Sequence, residues 1–225
     1  VYTMQNVSKT YGGKPVLEDI SLSFYLGAKI GIVGENGAGK STLLRIMAGE
    51  DKDFTGDAQL IKGMRVVHVP QEPRLDPDKT VRGNLEDSVK PIKDLLARYD
   101  EVAAKMGEDI SPEEMDKAMD EMTRLQEEID AKDAWEIDRA LDIASDALVL
   151  PPDDADVSTL SGGERRRAAF CNALLENSDL LPLDEPTNHL DAETITWLDD
   201  QLRDDPGTVT IVTHYRYCLA TMTKW

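Results

Sequence analysis

The chain is poor in cysteine and has no long apolar run. Of its 225 residues only Cys171 and Cys218 are cysteines, and they do not form a C-x-x-C pair. This scarcity favours a reducing compartment and argues against a thiolate metal site. No apolar run reaches the roughly 18 residues of a membrane-spanning helix, and the amino end does not have the pattern of a signal peptide. The sequence therefore predicts a cytoplasmic protein without a membrane segment.

Basic residues are also scarce. The 25 lysines and arginines stand against 44 acidic residues, which gives a formal net charge of -19. Such a charge disfavours nonspecific adsorption to nucleic acid, because that binding needs a basic face. The length suits one sizeable domain, alone or with an inserted subdomain. The chain begins without methionine, and we expect it to be part of a longer protein.

The most informative segment matches the pattern G-x-x-x-x-G-K-[ST]. Its glycines allow backbone N–H groups to surround phosphates, and the following helix directs its positive dipole end toward them. We predict that Lys40 reaches the β and γ phosphates and that Ser41 offers a hydroxyl to Mg²⁺. The segment consists of Gly34, Glu35, Asn36, Gly37, Ala38, Gly39, Lys40, Ser41 and Thr42. A strand pattern precedes it and a helix pattern follows, so the sequence predicts a nucleoside triphosphate site.

Two carboxylates, Asp184 and Glu185, follow an apolar run over 180–183 that reads as a buried strand. Ligand crevices of α/β proteins form where such strands end. Asp184 can orient Mg²⁺ through a water, and Glu185 can polarise an attacking water. Another buried strand is predicted over 208–213, and it delivers His214, which can hydrogen-bond a γ-phosphate or simply cap the strand.

Other candidate contacts come from turns and from a helix start. Tyr11 lies on a hairpin turn, where its ring can stack on a purine or merely cover the turn. Gln71 lies on a proline-bracketed loop, and Ser161 can N-cap a helix whose glycines allow close approach to an anion. That helix start is Leu160, Ser161, Gly162, Gly163 and Glu164. Further strands are predicted over residues 2–7, 58–61 and 65–69.

Residues from about 80 to 150 are acid-rich and have a helical pattern without strands. Two apolar stripes flank a break at 107–110, after which Ser111 opens a capping-box sequence. We therefore predict an antiparallel helical hairpin, followed by a third helix over about 135–148. The methionines of the hairpin fit either the seam between its two helices or a surface that binds a partner.

Taken together, these segments resemble the ATP-binding cassette family over essentially the whole chain. The resemblance implies an α/β fold of the P-loop NTPase type, with a mostly parallel core sheet, an antiparallel β subdomain and an inserted helical subdomain. It implies one cassette, with the core and β subdomain in residues 1–79 and 176–225 and the helical subdomain in 80–175. The latter would contain an arm insertion at about 90–132 and a signature helix from Ser161.

The resemblance also implies roles for single residues in Mg²⁺-dependent hydrolysis of ATP, weak in an isolated cassette. Tyr11 would stack on adenine, and Gln71 would sense Mg²⁺ and the γ-phosphate. Glu185 would be the catalytic base, His214 the switch residue and Lys40 the phosphate contact. The implied metal ligands are Ser41, Gln71 and Asp184; the contacts to ATP on a second cassette are Ser161, Gly162, Gly163 and Glu164; the dimer contact is Asp191.

Three finer features resemble the ABC-F subfamily: the three arginines after Glu164, the phrase over 184–191, and the acidic insertion between Gln71 and Ser161. Its members are soluble, carry two tandem cassettes, and many bind the ribosome near the tRNA exit site. The resemblance thus implies ribosomal protein, rRNA and tRNA as partners. With 18 acidic against 8 basic residues over 90–146, the insertion suits basic ribosomal protein better than rRNA.

Two other functions remain open from the residues. The ATP-binding subunit of a membrane transporter carries the same chemical motifs, although the insertion weighs against it. A nucleotide-switch scaffold with little hydrolysis stays open because of Pro182, which removes a donor from a predicted strand, and Tyr215, where the family usually has aspartate. The residues do not distinguish ATP from GTP, because Tyr11 would stack on either purine.

Overall fold

A computed structural model describes residues 1–71, 73–176, 178–188 and 190–213. The strands are β1 Tyr2–Tyr11, β2 Lys14–Phe24, β3 Lys29–Ile32, β4 Thr55–Leu60, β5 Leu180–Asp184 and β6 Thr208–Val212. The helices are α1 Lys40–Met47, α2 Val81–Met106, α3 Pro112–Ala131, α4 Ile137–Ala147, α5 Gly162–Leu175 and α6 Ala192–Asp204, with short 3-10 helices at Ala134–Glu136 and Val157–Thr159. In this part of the chain the strands form two three-stranded sheets.

One sheet is antiparallel, with the order β2-β1-β4. Gly12 and Gly13 connect β1 to β2 with φ of 55° and 80°, the positive values that a two-residue hairpin turn requires. β1 extends four residues beyond the predicted end at Val7, and β4 begins at Thr55, earlier than predicted. The predicted antiparallel β subdomain is therefore present, with longer strands than the sequence pattern indicates.

The other sheet is parallel, with the order β3-β6-β5. All residues of β5 and β6 are buried, as expected for parallel strands covered on both faces. The register pairs Ile32 with Val212 and Asp184 with Val212, so the carboxyl ends of the three strands are neighbours. This edge is where the sequence places the phosphate loop and the carboxylate pair.

The predicted strand over 65–69 is interrupted: it makes two isolated parallel bridges to β5. Leu180 and Asp184 of β5 each donate a backbone hydrogen bond of 3.2 Å to this segment. Between them, the nitrogen that would face the carbonyl of Val67 belongs to Pro182, which has no hydrogen to donate. Pro182 thus disturbs strand pairing as the sequence suggests, and the expectation of a continuous strand is wrong.

α2 and α3 form the predicted antiparallel hairpin, joined at the predicted break. Ser111 and Glu114 make a reciprocal capping box at the start of α3, and Arg98 Nη2 of α2 lies 2.7 Å from Glu121 Oε1 of α3. The third predicted helix is present as a 3-10 turn followed by α4. In the described ranges, no helix combines the length and the apolar character needed to cross a membrane.

The buried residues of α5 belong to the same apolar core as residues of α2, α4 and β5. Cys171 of α5 is fully buried, and burial raises the pKa of this thiol to about 12, although the neighbouring Ser145 side chain acts in the opposite direction. A thiol with this pKa stays protonated and unreactive near neutral pH. Cys218 lies outside the described residues.

Candidate functional site

An open cleft of about 630 Å³ lies at the carboxyl edge of the parallel sheet. Its lining residues are Tyr11, Val16, Asn36, Gly37, Gly39, Lys40, Ser41, Thr42, Gln71, Asp184, Glu185, Asn188 and Val212. The structure thus gathers the phosphate loop, the carboxylate pair, Gln71 and Tyr11 around one space. Gly34, Glu35 and Ala38 are not among these described lining residues. Val16, Asn188 and Val212 were not predicted, although Asn188 lies within the phrase over 184–191.

The phosphate loop is shaped by one glycine packed against β2. Gly39 is the N-cap of α1 with φ 88°, and a Cβ there would lie 2.7 Å from the carbonyl oxygen of Val16. Only glycine fits this left-handed position at such close approach. Lys40 Nζ donates hydrogen bonds to the carbonyls of Gly34 at 2.8 Å and Glu35 at 2.9 Å. The ammonium of Lys40 therefore lies against the phosphate loop, where it is predicted to contact phosphates.

The carboxylate pair is presented where β5 ends. Asp184 is buried, with 9% of its surface exposed. Glu185 follows with φ 52°, and its backbone N–H donates to the carbonyl of Val212 at 2.9 Å. Among described non-glycine residues, positive φ also occurs at Asn6, Asp19, Asp133 and Val149. Asn and Asp tolerate this region, so Glu185 and Val149 are the strained cases, and strain of this kind clusters at functional sites.

Three oxygen-bearing side chains in the cleft suit a hard cation. Ser41, Gln71 and Asp184 offer hydroxyl, amide and carboxylate oxygens, the ligand types that Mg²⁺ prefers. Across the described ranges, no group of three or more His, Cys, Asp or Glu side chains is placed to hold a metal. With three protein oxygens, the set suits an ion such as Mg²⁺, which normally keeps several waters in its coordination shell. His214 lies outside the described residues.

Tyr11 is held by Lys9 of its own strand and by Asp51, which is far away in sequence. The residue is 44% exposed, and its hydroxyl donates to Asp51 Oδ2 at 3.0 Å. Lys9 Nζ lies 4.9 Å from the ring centroid and 3.0 Å from Asp51 Oδ1. No spacing rule links β1 to the loop after α1, so the sequence gives no signal for the involvement of Lys9 and Asp51.

The start of α5 has the predicted cap. Ser161 Oγ accepts from the N–H of Glu164 at 3.3 Å, and Glu164 Oε2 accepts from the N–H of Ser161 at 2.8 Å. Hydrogen bonds from the Ser161 side chain and backbone lower the pKa of Glu164. Among the described residues that line the cleft, none comes from 161–164. Gly163 instead lines a smaller neighbouring cavity, which also touches Gln71.

Asp191 caps another helix. Its carboxylate accepts the N–H of Thr194 at 2.9 Å at the start of α6. This backbone hydrogen bond, together with the Thr194 hydroxyl, lowers the pKa of Asp191. Asp191 lines a surface groove with Val149 and Trp197, apart from the cleft. The structure thus gives Asp191 a helix-capping role, and its predicted role as a dimer contact stays a prediction.

Comparison with known proteins identifies relatives that match this chain over nearly its whole length. EttA, the energy-dependent translational throttle protein, of Mycobacterium tuberculosis strain CDC 1551 / Oshkosh is 54% identical over 225 residues, which is all of this chain and 40% of the relative. EttA of Escherichia coli K12 is 50% identical over all of this chain and 40% of the relative. The tylosin resistance ATP-binding protein TlrC of Streptomyces fradiae is 38% identical over 98% of this chain and 41% of the relative. The chain spans about 40% of the length of these relatives.

Two solved structures share the fold. One is an ATP-binding cassette in a dimeric post-hydrolysis state bound to ADP and phosphate, with a TM-score of 0.64, 23% identity, and coverage of 98% of this chain and 91% of that chain. The other is an ATP-binding subunit of an ABC transporter, with a TM-score of 0.67, 19% identity, and coverage of 95% and 79%. These likenesses confirm the predicted fold class.

The sequence profile of the ABC transporter family matches residues 17–188. That match spans the phosphate loop, the arm hairpin, the signature helix and the carboxylate pair. The identities to EttA confirm the resemblance to ABC-F cassettes that the motifs indicate. With most of its length matched by the profile, the chain belongs to the ABC transporter family.

Proposed function

We propose that this chain binds Mg-ATP, hydrolyses it to ADP and phosphate, and pairs with a second cassette around the nucleotide. The observation that carries the proposal is the single cleft that combines the phosphate loop, Gln71, and the Asp184 and Glu185 pair. A glycine-rich loop before a helix is suited to phosphates. A carboxylate in the same space is suited to orient a water for attack on the γ-phosphorus.

In this mechanism the protein contributes mainly positioning and charge. Glu185 orients the water for in-line attack, and His214 is the predicted contact to the γ-phosphate. Lys40 exchanges its hydrogen bonds to the carbonyls of Gly34 and Glu35 for phosphate oxygens. Ser41, Gln71 and Asp184 would hold Mg²⁺, which would supply positive charge to offset the phosphates.

The proposal includes a second cassette because the expected ATP contacts at the start of α5 lie outside the described lining of this chain's own cleft. None of residues 161–164 lines the described part of the cleft itself, and Gly163 borders it only through the smaller adjoining cavity that also contains Gln71, Asp184 and Glu185. In keeping with the family resemblance, we assign Ser161–Glu164 to ATP on an opposing cassette, with Asp191 at the contact. One cassette then holds half of each site, and turnover of the isolated chain is weak. We also propose the division into a core and β subdomain, residues 1–79 and 176–225, and a helical subdomain, 80–175.

The cellular role follows from the relatives. EttA is named as a translational throttle protein, and at 50–54% identity we propose a ribosome-associated translation factor of the cytoplasm. Its arm, the α2–α3 hairpin, would contact ribosomal protein, rRNA or tRNA. α3 contributes most to the acidity of the arm, which favours basic ribosomal protein as the partner.

Replacement of Glu185 tests the catalytic part. Glu185→Gln keeps the side-chain shape and removes the charge that orients water, so we expect ATP binding without turnover. Sedimentation velocity should then show a dimer in ATP and a monomer in ADP. Glu18→Gln, an exposed glutamate on β2, is the matched control and should behave as the unmodified chain. Turnover at the unmodified rate in Glu185→Gln would refute the assigned base.

Ribosome co-sedimentation tests the cellular part. The protein at its natural length carrying Glu185→Gln is pelleted with ribosomes in ATP and in ADP, with and without residues 91–132. We expect pelleting in ATP that requires the arm. Pelleting in neither nucleotide would contradict the translation role and favour a transporter subunit, whereas pelleting without the arm would refute the assignment of the arm as the contact.

A further inference from the structure

A buried lysine lies next to the predicted base-stacking tyrosine. Lys9 of β1 is 4% exposed, and its Nζ lies 3.0 Å from Asp51 Oδ1 and 3.1 Å from Asp53 Oδ2. The same Nζ donates to the backbone carbonyl of Asp53. A buried ammonium needs such partners, because desolvation without them is costly. The sequence pattern gives this lysine no role.

The same cluster holds the aromatic ring. Lys9 and Tyr11 are two positions apart on β1, so their side chains leave the same face of the strand. Asp51 accepts from the Tyr11 hydroxyl with Oδ2 at 3.0 Å, while its Oδ1 faces Lys9 Nζ. Asp51 is itself tied to the last turn of α1, since its N–H donates to the carbonyl of Arg45 at 3.1 Å. One carboxylate therefore fixes both the ammonium and the ring.

The ammonium covers one face of the ring. Lys9 Nζ lies over the Tyr11 ring, 4.9 Å from its centroid, within the range of a cation–π contact. Tyr11 as a whole nevertheless remains 44% exposed, and it lines the cleft. A base that enters the cleft can therefore reach the part of the ring that Lys9 leaves uncovered.

We propose that Lys9 and Asp51 are positioning residues for the nucleobase: they hold the Tyr11 ring between a fixed ammonium and the cleft, and they favour a purine. The inference rests on the proposed nucleotide site. A cation on one face withdraws electron density from the ring, so the free face stacks best on a large, electron-rich base. A pyrimidine offers less surface to the same platform.

The charges needed for this arrangement are present near neutral pH. Burial alone raises the pKa of Asp51, but hydrogen bonds from Lys9, the N–H of Asp53 and the Tyr11 hydroxyl bring it below its usual value. Burial likewise lowers the pKa of Lys9, and its bonds to Asp51 and Asp53 more than compensate. The pair is therefore ionised when nucleotide binds.

The test compares three ligands by isothermal titration calorimetry: ADP, CDP and inorganic pyrophosphate, which has no base. We expect Lys9→Met to weaken ADP binding about three- to tenfold, the range of a partly buried cation–π contact, and to leave pyrophosphate binding unchanged. The ratio of ADP to CDP affinity should fall. Tyr11→Phe, which keeps the ring and loses the bond to Asp51, should show a smaller loss of the same kind. Lys62→Met, an exposed lysine outside the cluster, is the matched control.

Each outcome decides the proposal. Equal ADP affinity in the unmodified chain, Lys9→Met and Tyr11→Phe would overturn it, as would equal weakening of ADP and pyrophosphate. If Lys9→Met does not fold, Tyr11→Phe carries the test, because removal of a hydroxyl from a partly exposed ring leaves the core filled. An unmodified chain that binds neither ADP nor pyrophosphate would instead refute the proposed nucleotide site.

Discussion

The phosphate loop and the arm hairpin differ in how strictly their sequences are constrained. At Gly39 a single added carbon would lie 2.7 Å from a backbone oxygen. In α3, all 20 residues of which are described, Ala118 and Ile129 are buried and the rest keep contact with solvent. The loop therefore depends on individual atoms, whereas the arm depends on helix caps, a narrow seam and exposed ion pairs. A surface of the second kind can change its partner without loss of fold.

The largest effect is expected at Gly39. Gly39→Ala combines left-handed strain with overlap against Val16, and should lower the free energy of unfolding by about 3 kcal/mol. Gly37→Ala is the matched control, since Gly37 also has a positive φ of 81° but nothing within 4 Å of an added Cβ. It should lose only about 1 kcal/mol. Urea unfolding without nucleotide measures both, and equal losses would contradict the packing argument.

A comparison of two similar helix caps can separate an effect on stability from an effect on cassette pairing. Ser111 and Ser161 each make a capping box with a glutamate three residues on, so replacement by alanine should cost about 1 kcal/mol at either site. Only Ser161→Ala should also reduce ATP-dependent pairing of the Glu185→Gln chain, because only this cap is assigned to a second cassette. Sedimentation in ATP measures the pairing. An equal reduction by Ser111→Ala would remove the argument for a trans contact.

The caps also set a dependence on pH. Hydrogen bonds from the Ser111 side chain and backbone lower the pKa of Glu114 below its usual 4.5. A carboxylate with a depressed folded-state pKa stabilises the fold above its unfolded value, and this contribution is lost as the pH falls through the folded value. The stability difference between Glu114→Gln and the unmodified chain should therefore shrink below pH 4.5. A difference that is constant in urea unfolding down to pH 3 would contradict this.

A gain of stability is expected at Val149. This β-branched residue has φ 49° and is 60% exposed, so it stores strain without filling the core. Val149→Asn should raise the free energy of unfolding by about 1 kcal/mol, because asparagine tolerates the left-handed region. Val33→Asn, at a 57% exposed valine outside the positive-φ set, should give no gain in the same urea experiment. A gain at both positions would show that polarity, not strain, is responsible.

The smallest effect is expected in the arm. Arg98 and Glu121 connect α2 to α3 with side chains 53% and 43% exposed. Arg98→Gln should lower the free energy of unfolding by less than about 0.5 kcal/mol, because exposed ion pairs contribute little. Thermal unfolding at low and at high salt measures the change. A loss above 1 kcal/mol would mean that the hairpin depends on this pair more than its exposure suggests.

Several structural features that depend on residues close together in the sequence were predicted correctly. The phosphate loop, the buried strands before Asp184 and after Gly207, and the capping box at Ser111 follow from local spacing and side-chain chemistry. Sequence patterns did not give the link from Lys9 to Asp51, because contacts between residues 42 positions apart depend on tertiary packing. The strain at Glu185 and Val149 was equally hidden, since neither residue type favours positive φ. The predicted roles of the site residues stay predictions.

Pro182 has a consequence for the loop that carries Gln71. A continuous ladder would make the segment over 65–69 and β5 exchange their amide hydrogens as one protected unit. With the central bond absent, the bridges at Val66 and Val69 can open separately, and the second is the one nearer to Gln71. The amide of Val69 still donates to the carbonyl of Pro182 at 3.1 Å, and we expect it to exchange faster than the amides of β6 in the same sheet. If Gln71 has its proposed role in sensing nucleotide, this single proline would allow local opening beside it without loss of the parallel core.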